Sequence, residues 1–514
     1  MPRTMPSPTN PPAWRLPPRS TRVAALAERT FDVAVIGGGI TGCGLALDLT
    51  LRGLSVALVE RGDWGGATSS ASSRLIHGGL RYLETGDLAL VRESCRERAL
   101  LLSNAAGLVW PERFVFPVHA GARVGRAKLS AGLWLYTALS LPRALGTPGW
   151  LSRADALRAV PALRGDGLRG AGTYMDGATH DARLALAVLL SAARANAVCV
   201  SRCEATAIEG ASSGVAIAAR DLSGNAPLEL RAAACVLAGG PFTSALRACA
   251  GLGGDWIAPT RGTHVVVPRE RLPTDGAVIF TSAVDGRVMF LIPWPRHTVI
   301  GTTDVDADPS APVAPTEAER DYLLESANAL APAAALRRAD VVSAWAGLRP
   351  LLRPPEAAAP SQRSREERVE REGNVYTIAG GKLTGYRSMA EKLGARIARE
   401  LGRGDASAHS PTRTHALVGA LARPVARPAW SRLDAAGAPL AQGIESALVE
   451  RYGALAADVR AHCERTSGGT VPLSADVLAG ERSWAEQFED ATCAEDFTRR
   501  RTSLAYTDPS VALD

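Results

Sequence analysis

The chain has 514 residues, more than one hydrophobic core usually supports, so we expect two or three domains. A hydrophobic fraction of 46% and a charged fraction of 21% are ordinary for a folded globular protein, and a net charge of +6 over this length does not indicate nucleic acid as a partner. The eight cysteines form no C-x-x-C pair and have no metal-ligand spacing, so we expect no metal site, no disulfides and a reducing cytoplasm.

The first 29 residues are rich in proline and contain no apolar core of signal-peptide length. This composition predicts a disordered tail over residues 1–29 rather than an export signal. Further along, no apolar run reaches the roughly 18 residues that a bilayer-spanning helix requires.

Ordered structure is predicted to begin near residue 30, with the run "FDVAVIGGGITGCGLALDLTLRGLSVALVERGD". It divides into a buried strand, the turn "GGITG", the helical segment "CGLALDLTLRG" closed by Gly53, and the second buried strand "LSVALVE". Two strands joined by a helix indicate a parallel sheet in an open α/β domain.

Gly37, Gly39 and Gly42 within this unit form the pattern G-x-G-x-x-G. The pattern follows a strand, opens a helix and precedes Glu60 at the end of the second strand, which is the context of a dinucleotide site. The helix start would hold a pyrophosphate and Glu60 a ribose. Glu60 argues against NADP, whereas FAD and NAD stay equally open; a glycine-rich turn of another α/β fold is the alternative.

Several alternating segments between residues 231 and 304 predict strands of an antiparallel or mixed sheet. The segments 181–196 and 388–402 are helical in pattern, and residues 353–374 are predicted to form a charged loop. After about residue 405 the chain is rich in alanine and arginine and lacks strand patterns, which indicates a separate helical domain.

The polar stretch "ATSSASSRLIHGGLRYLE" over residues 67–84 completes a set of ordered motifs. With "VIGGGITGCG", "RGTHVVVP", "RVMFLIPWPRHTVIGTTD", "AGLRPLL", "GGKLTGYRSMAE" and "EDFTRRRTSLAY", it makes the chain resemble the FAD-dependent, quinone-linked glycerol-3-phosphate dehydrogenases. The resemblance is strong over residues 30–400 and loose beyond them.

The resemblance implies an α/β plus α fold: a glutathione-reductase-type FAD-binding Rossmann domain interleaved with an antiparallel-sheet substrate domain and followed by a C-terminal helical domain. The expected ranges are 30–110, 170–255 and 345–404 for the FAD domain, 111–169 and 256–344 for the substrate domain, and 405–514 for the helical domain. The implied reaction oxidises sn-glycerol 3-phosphate to dihydroxyacetone phosphate, with FAD as cofactor and ubiquinone or another quinone as electron acceptor.

The resemblance also implies roles for individual residues. His264, with His77 second, is expected to accept the proton of the C2 hydroxyl, although His264 could equally be structural; Arg349 and Lys382 are the other catalytic candidates. The expected substrate-binding residues are Arg81, Tyr82, Arg349, Arg365 and Lys382. The expected cofactor-binding residues are Gly37, Gly39, Ile40, Thr41, Gly42, Glu60, Arg61, Ala67, Thr68, Ser69, Ser70, His77, Gly78, Gly79, Leu80, Ala205, Gly240, Gly347, Gly381, Lys382, Leu383 and Thr384.

Family members are peripheral membrane proteins, which implies a cytoplasmic protein at the inner face of the cell membrane. Residues 121–146 combine basic side chains with an aromatic and apolar patch, as an interfacial anchor on an anionic membrane surface requires; a core helix explains the same pattern equally well. The oligomeric state stays open, a homodimer included.

Three alternatives to this function remain. One is an oxidase of the same architecture that reduces O₂ to H₂O₂, and another is an amine or amino-acid oxidase of the same fold. The third is a non-catalytic flavin-binding or scaffold protein, against which the cations Arg81, Arg349 and Lys382 argue because a scaffold has no use for them over a flavin.

Overall fold

A computed structural model describes residues 15–83, 86–353 and 367–511. The strands are β1 Thr30–Ile36, β2 Val56–Val59, β3 Leu75–Ile76, β4 Val109–His119, β5 Gly149–Leu151, β6 Leu168–Thr179, β7 Val198–Val200, β8 Cys203–Ala211, β9 Gly214–Asp221, β10 Ala226–Leu237, β11 Thr260–Pro268, β12 Ala277–Thr281, β13 Val288–Pro293, β14 His297–Gly301, β15 Val305–Asp306, β16 Ser343–Arg349, β17 Glu367–Glu372 and β18 Val375–Gly380.

The helices alternate with these strands in the first four-fifths of the chain and then follow one another. They are α1 Arg19–Glu28, α2 Ile40–Leu51, α3 Leu88–Asn104, α4 Arg126–Leu139, α5 Arg153–Ala159, α6 Asp181–Arg194, α7 Thr243–Cys249, α8 Glu317–Leu330, α9 Tyr386–Leu401, α10 Ile444–Tyr452, α11 Ala456–Arg465, α12 Gly480–Phe488 and α13 Leu504–Thr507. None of the helices in the described segments is both long and apolar enough to cross a bilayer.

The first sheet has the order β17-β18-β10-β1-β2-β7, and β9 and β8 extend it from β10. Its strands β18, β10, β1, β2 and β7 are parallel, as the βαβ pattern predicts. Helices α2, α6 and α9 cover one face through a shared apolar core. Because both faces of these strands are buried, they are almost continuously apolar in sequence.

The second sheet has the order β15-β11-β14-β13-β12-β4-β6-β3, with β16 on β11 and β5 on β6. It is mixed, because β4 pairs with β12 in parallel and the other pairs are antiparallel. Strands β3, β6 and β16 lie in it, although the expected boundaries place residues 75–76, 170–179 and 345–349 in the cofactor domain. The chain therefore passes from one sheet to the other within ranges that were expected to belong to a single domain.

Two local predictions are wrong. Residues 19–28 form α1 instead of a disordered tail, because Leu26 is fully buried and the Arg22 side chain donates to the Cys199 carbonyl (2.7 Å) and to Asp490 (2.6 Å). Residues 367–372 form the edge strand β17 instead of a charged loop, because the backbone pairs with β18 while charged side chains remain at the rim. Residues 1–14 and 354–366 lie outside the described residues.

Candidate active site

A cleft of about 2160 Å³ is lined by residues of both sheets. Small-molecule sites usually measure about 300–1,000 Å³, so this cleft has room for an extended cofactor together with a substrate. The cleft includes the carboxyl ends of β1 and β2, which is where open parallel sheets bind ligands. It continues over the second sheet to β11 and β16 and reaches the helix α4.

The turn between β1 and α2 has the geometry of a phosphate-binding loop. Gly37 has a φ of +114°, and a Cβ there would overlap the Ala238 carbonyl; a Cβ on Gly42 would overlap the carbonyl of Gly37. Gly39 caps α2, which begins at Ile40, three residues earlier than predicted. Gly39, Ile40 and Thr41 line the cleft, whereas Gly42 lies behind the turn, where its missing side chain permits close packing.

The Glu60 carboxylate lines the cleft directly after β2. It accepts hydrogen bonds from the backbone N–H groups of Gly38 (2.6 Å) and Gly62 (2.7 Å), which fix its orientation. Burial raises the pKa of Glu60, and these two N–H groups oppose that rise. Arg61 also lines the cleft, with its guanidinium 4.2 Å from the centre of the Phe242 ring.

The predicted hydroxyl residues at 67–70 lie between the two sheets and line the cleft. The Ser69 hydroxyl accepts a hydrogen bond from the Ile40 N–H (2.9 Å), at the start of α2. The Thr68 hydroxyl donates to the Leu348 carbonyl (2.6 Å) at the end of β16. These side chains hold the dinucleotide turn against the second sheet, in addition to facing the cofactor space with Ala67 and Ser70.

Replacing Ser69 with alanine is expected to lower the free energy of unfolding by about 1 kcal/mol, as the loss of a helix-capping hydroxyl does. Urea denaturation of the purified protein measures the change. The matched control is Ser70→Ala, since the Ser70 hydroxyl bonds only weakly to Ala67 (3.4 Å) and is exposed. Equal stability of both variants would contradict a capping role for Ser69.

His77, Gly79, Leu80 and Tyr82 also line the cleft. Gly78 does not line it, and its contact with the cofactor stays a prediction. The Gly78 N–H donates to the buried Asp176 carboxylate (3.2 Å), and a Cβ there would overlap the Tyr136 hydroxyl. The side chain of Arg81 and the whole of Arg365 lie outside the described parts of the structure.

Two cations enter the cleft from strands of different sheets. Arg349 ends β16, and its Nη1 is 2.9 Å from Asp304 Oδ1. Its Nη2 donates to the Thr302 hydroxyl (3.0 Å), so the guanidinium is held from behind. Lys382 follows β18, and its Nζ lies 3.7 Å from the centre of the Tyr82 ring, a cation–π contact.

The 3₁₀ turn after Lys382 brings this segment against the stretch that contains His77. Thr384 donates to the His77 carbonyl (3.4 Å), and Gly381, Leu383 and Thr384 line the cleft. The remaining predicted cofactor residues, Ala205, Gly240 and Gly347, line it as well. At Gly347 the second sheet passes so close to Ala71 that a Cβ would come within 2.7 Å of it.

His264 lies on β11 and stacks on Trp345, with ring centres 4.8 Å apart and planes 12° apart. Its Nε2 is 2.8 Å from the Ser73 hydroxyl, and its buried Nδ1 has no hydrogen-bond partner among the described residues. Burial, followed by the positive charges of Arg349 and Arg74, lowers the pKa of His264 to about 3. The imidazole is therefore neutral at physiological pH.

Three further residues of this region were not predicted from the sequence. Ser73 is the hydrogen-bond partner of His264, and Trp345 stacks on the same imidazole. Tyr506 lines the cleft and tilts over Trp345 at 5.0 Å between ring centres. Ser73 and Tyr506 stand in the quoted motifs "ATSSASSRLIHGGLRYLE" and "EDFTRRRTSLAY", but only the fold shows that they meet at one site.

The fold and the cleft together define an oxidoreductase that holds an extended dinucleotide cofactor across two sheets. A sequence profile described as FAD dependent oxidoreductase matches residues 32–401. The aerobic glycerol-3-phosphate dehydrogenase of Staphylococcus saprophyticus is 36% identical over 392 residues, which cover 73% of this chain and 69% of that protein. The chain belongs to the FAD-dependent oxidoreductases, and among them to the glycerol-3-phosphate dehydrogenase family.

Solved structures agree with this family. The glycerol-3-phosphate dehydrogenase of Bacillus halodurans complexed with FAD has a TM-score of 0.75 and 27% identity, covering 97% of this chain and 90% of that one. The L-α-glycerophosphate oxidase of Mycoplasma pneumoniae with FAD bound has a TM-score of 0.57 and 20% identity, over 73% and 94% of the two chains. The second likeness concerns the fold alone.

The residues of the cleft fit the FAD of this family. The side-chain-free face of Gly39 lets a pyrophosphate approach the start of α2, where free N–H groups favour an anion. The oriented Glu60 carboxylate suits a ribose, and the cleft continues from there to Lys382 and Arg349. Gly39 through Thr41 and Glu60 would hold the dinucleotide part, and Gly381 through Thr384 the redox end.

Proposed function

We propose that the protein oxidises sn-glycerol 3-phosphate at C2 to dihydroxyacetone phosphate and delivers the electrons to a membrane quinone. The observation that carries this proposal is the meeting of Arg349, Lys382 and the Ser73–His264 pair in one cleft beside the dinucleotide site. Two cations suit a phosphate dianion, and the pair suits a hydroxyl that must lose its proton. The names of the relatives support the same substrate.

The chain's own residues have distinct tasks in this reaction. Arg349 and Lys382 bind and orient the phosphorylated substrate, while bound FAD supplies the hydride acceptor. Ser73 accepts the C2 hydroxyl proton and passes its own to Nε2 of His264, which is 2.8 Å away. Since the charge of Arg349 helps to depress the pKa of His264, a phosphate that neutralises Arg349 raises that pKa when a base is needed.

The route to quinone is proposed to run along α4. The cleft reaches Leu129, Leu133 and Leu135 on this helix. Trp134 is 56% exposed and Leu135 44% exposed, so the outer face of α4 remains apolar although its inner face is buried. With the basic side chains Arg123, Arg126, Lys128 and Arg143 nearby, this face suits a cytoplasmic protein that rests on the inner, anionic surface of the membrane.

Anaerobic titration of the purified, FAD-loaded protein tests the reaction. Glycerol 3-phosphate is expected to bleach the oxidised flavin spectrum, and glycerol at the same concentration is not, because it lacks the phosphate. Bleaching by glycine or another amine instead would contradict the proposal and favour an amine oxidase. No bleaching by any of these compounds would leave a non-catalytic flavoprotein.

The electron acceptor needs a separate measurement. Reoxidation of the reduced protein by a short-chain quinone is expected to outpace reoxidation by O₂. Peroxide formation equal to substrate turnover in air would instead identify a glycerol-3-phosphate oxidase, the activity named for the Mycoplasma pneumoniae structure.

A further inference from the structure

A second cavity, of about 480 Å³, lies among α3, the end of α4 and α9, apart from the cleft. Its charged lining residues are Arg92, Glu93, Arg96, Arg143 and Lys392. Four cations and one carboxylate therefore surround a space with no assigned ligand. The cavity shares no lining residue with the active-site cleft.

The charges in this cavity are unevenly compensated. Lys392 is balanced, because its Nζ lies 2.9 Å from Glu93 and 2.8 Å from Glu367. Arg96 lies 3.3 Å from Glu97, whose carboxylate is shared with Arg387. The positive charge of Arg96 is thus only partly offset.

The two other arginines are uncompensated. Arg92 and Arg143 are exposed and have no ion-pair partner among the residues that the structure describes. They approach the cavity from different elements, Arg92 from α3 and Arg143 from the segment after α4. Two free guanidiniums at one cavity provide the planar, multiply donating surface that phosphate oxygens bind best.

The cavity also has apolar side chains in its lining, among them Leu139 and Leu141. Of ten large hydrophobic side chains that are exposed in the described residues, four lie on α3, α4 or directly after α4: Leu88, Trp134, Leu135 and Leu141. Leu141 is 64% exposed and also lines the cavity. Apolar side chains beside unpaired arginines match the boundary between the headgroups and the acyl chains of a lipid. A soluble phosphate would bind the arginines but would leave these apolar side chains in water.

We propose that this cavity binds the phosphate of an anionic phospholipid headgroup, with Arg92 and Arg143 as its main ligands and Leu141 at the acyl boundary. The inference rests on the membrane association in the proposed function and adds a headgroup site to it. Occupancy of the site would hold α4, and with it the open end of the cleft, at the depth where quinone is available.

Vesicle co-sedimentation of the FAD-loaded full chain tests the site. Phosphatidylcholine vesicles with and without phosphatidylglycerol are compared, and binding is expected only with the anionic lipid. The double variant Arg92→Ser/Arg143→Ser is expected to bind about 30-fold more weakly, from about 1 kcal/mol for each basic residue at an anionic surface. The control Arg220→Ser/Arg231→Ser removes the same charge from exposed positions on β9 and β10 and is expected to bind as the unaltered protein does.

The flavin spectrum and the activity with a soluble dye acceptor are expected to be unchanged in both double variants, which shows that they are folded. Equal loss of binding in both would overturn the site, since it would reflect net charge alone. Release of the unaltered protein from vesicles by inorganic phosphate, but not by chloride of equal ionic strength, would identify a free-phosphate site instead. Absence of vesicle binding altogether would overturn the site and the membrane association, while bleaching by glycerol 3-phosphate would still test the reaction.

Discussion

The variant Arg349→Ala is expected to lower kcat/KM for glycerol 3-phosphate by about 30-fold or more, mainly through KM, and to retain FAD. Truncating one partner of a hydrogen-bonded charge pair costs about 2–5 kcal/mol, and each 1.4 kcal/mol is tenfold. Arg349 is a strong candidate for such a partner because Asp304 and Thr302 hold its guanidinium in the cleft before substrate arrives. Steady-state kinetics with a soluble dye, together with the flavin-to-protein absorbance ratio, measure both expectations.

Two further variants separate the charge of Arg349 from its orientation. Arg349→Lys keeps a cation without the planar fork and is expected to restore only part of the affinity. Asp304→Asn keeps the arginine but removes the 2.9 Å ion pair, so a smaller rise in KM is expected. Normal KM and kcat in Arg349→Ala, or loss of the flavin, would show that the substrate site has been placed wrongly.

The dinucleotide unit could be predicted from sequence because its determinants are local. The strand β1, the glycine turn, α2 and β2 lie within 30 consecutive residues, and each glycine meets a steric demand of its immediate neighbours. Glu60 follows from the same pattern. The start of α2 differed by three residues, as helix ends often do when no side-chain cap marks them.

Other elements depend on partners that no local pattern contains. The helix α1 is stabilised by Asp490, which is 468 residues from Arg22. The strand β17 has a sequence without apolar alternation and forms because β18 offers it an edge. Propensity and periodicity describe a segment alone, so both elements were predicted as irregular.

In the candidate site, too, some features can be predicted from sequence and others arise only from the fold. Arg349 and Lys382 were found through resemblance to a family, because charge alone does not distinguish a ligand-binding arginine from a solvated one. The contact of Ser73 with His264 spans 191 residues. The depressed pKa of His264 arises from burial and from Arg349 and Arg74, so it follows from the packed structure and not from the residue type.

The variant Asp63→Asn is expected to destabilise the FAD-loaded protein by about 3–5 kcal/mol, the usual result of breaking a buried ion pair on one side. The Asp63 carboxylate accepts two hydrogen bonds of 2.8 Å from Arg501 and a further one from Arg500. The side chains of Asp63 and Arg501 are each only 1% exposed, so asparagine would remove a buried negative charge from the two guanidiniums. Arg500 would keep Asp496 as its partner, and Arg501 would keep only Glu489, at 3.8 Å. Asparagine has nearly the same shape as aspartate, so the apolar contacts around this position are preserved and the lost stability reflects the missing charge.

Faster loss of FAD is expected together with the lower stability. Asp63 lies three residues after Glu60, and the segment that carries Arg500 and Arg501 also lines the cleft, so the ion pairs hold the C-terminal region against the cofactor site. Thermal denaturation followed by flavin fluorescence measures both effects. The control Asp155→Asn breaks the exposed ion pair with Arg158 and is expected to cost far less stability, because solvent screens exposed pairs. If Asp63→Asn were as stable as this control, apolar contacts rather than these ion pairs would hold the C-terminal region. Loss of FAD would then not depend on detachment of that region.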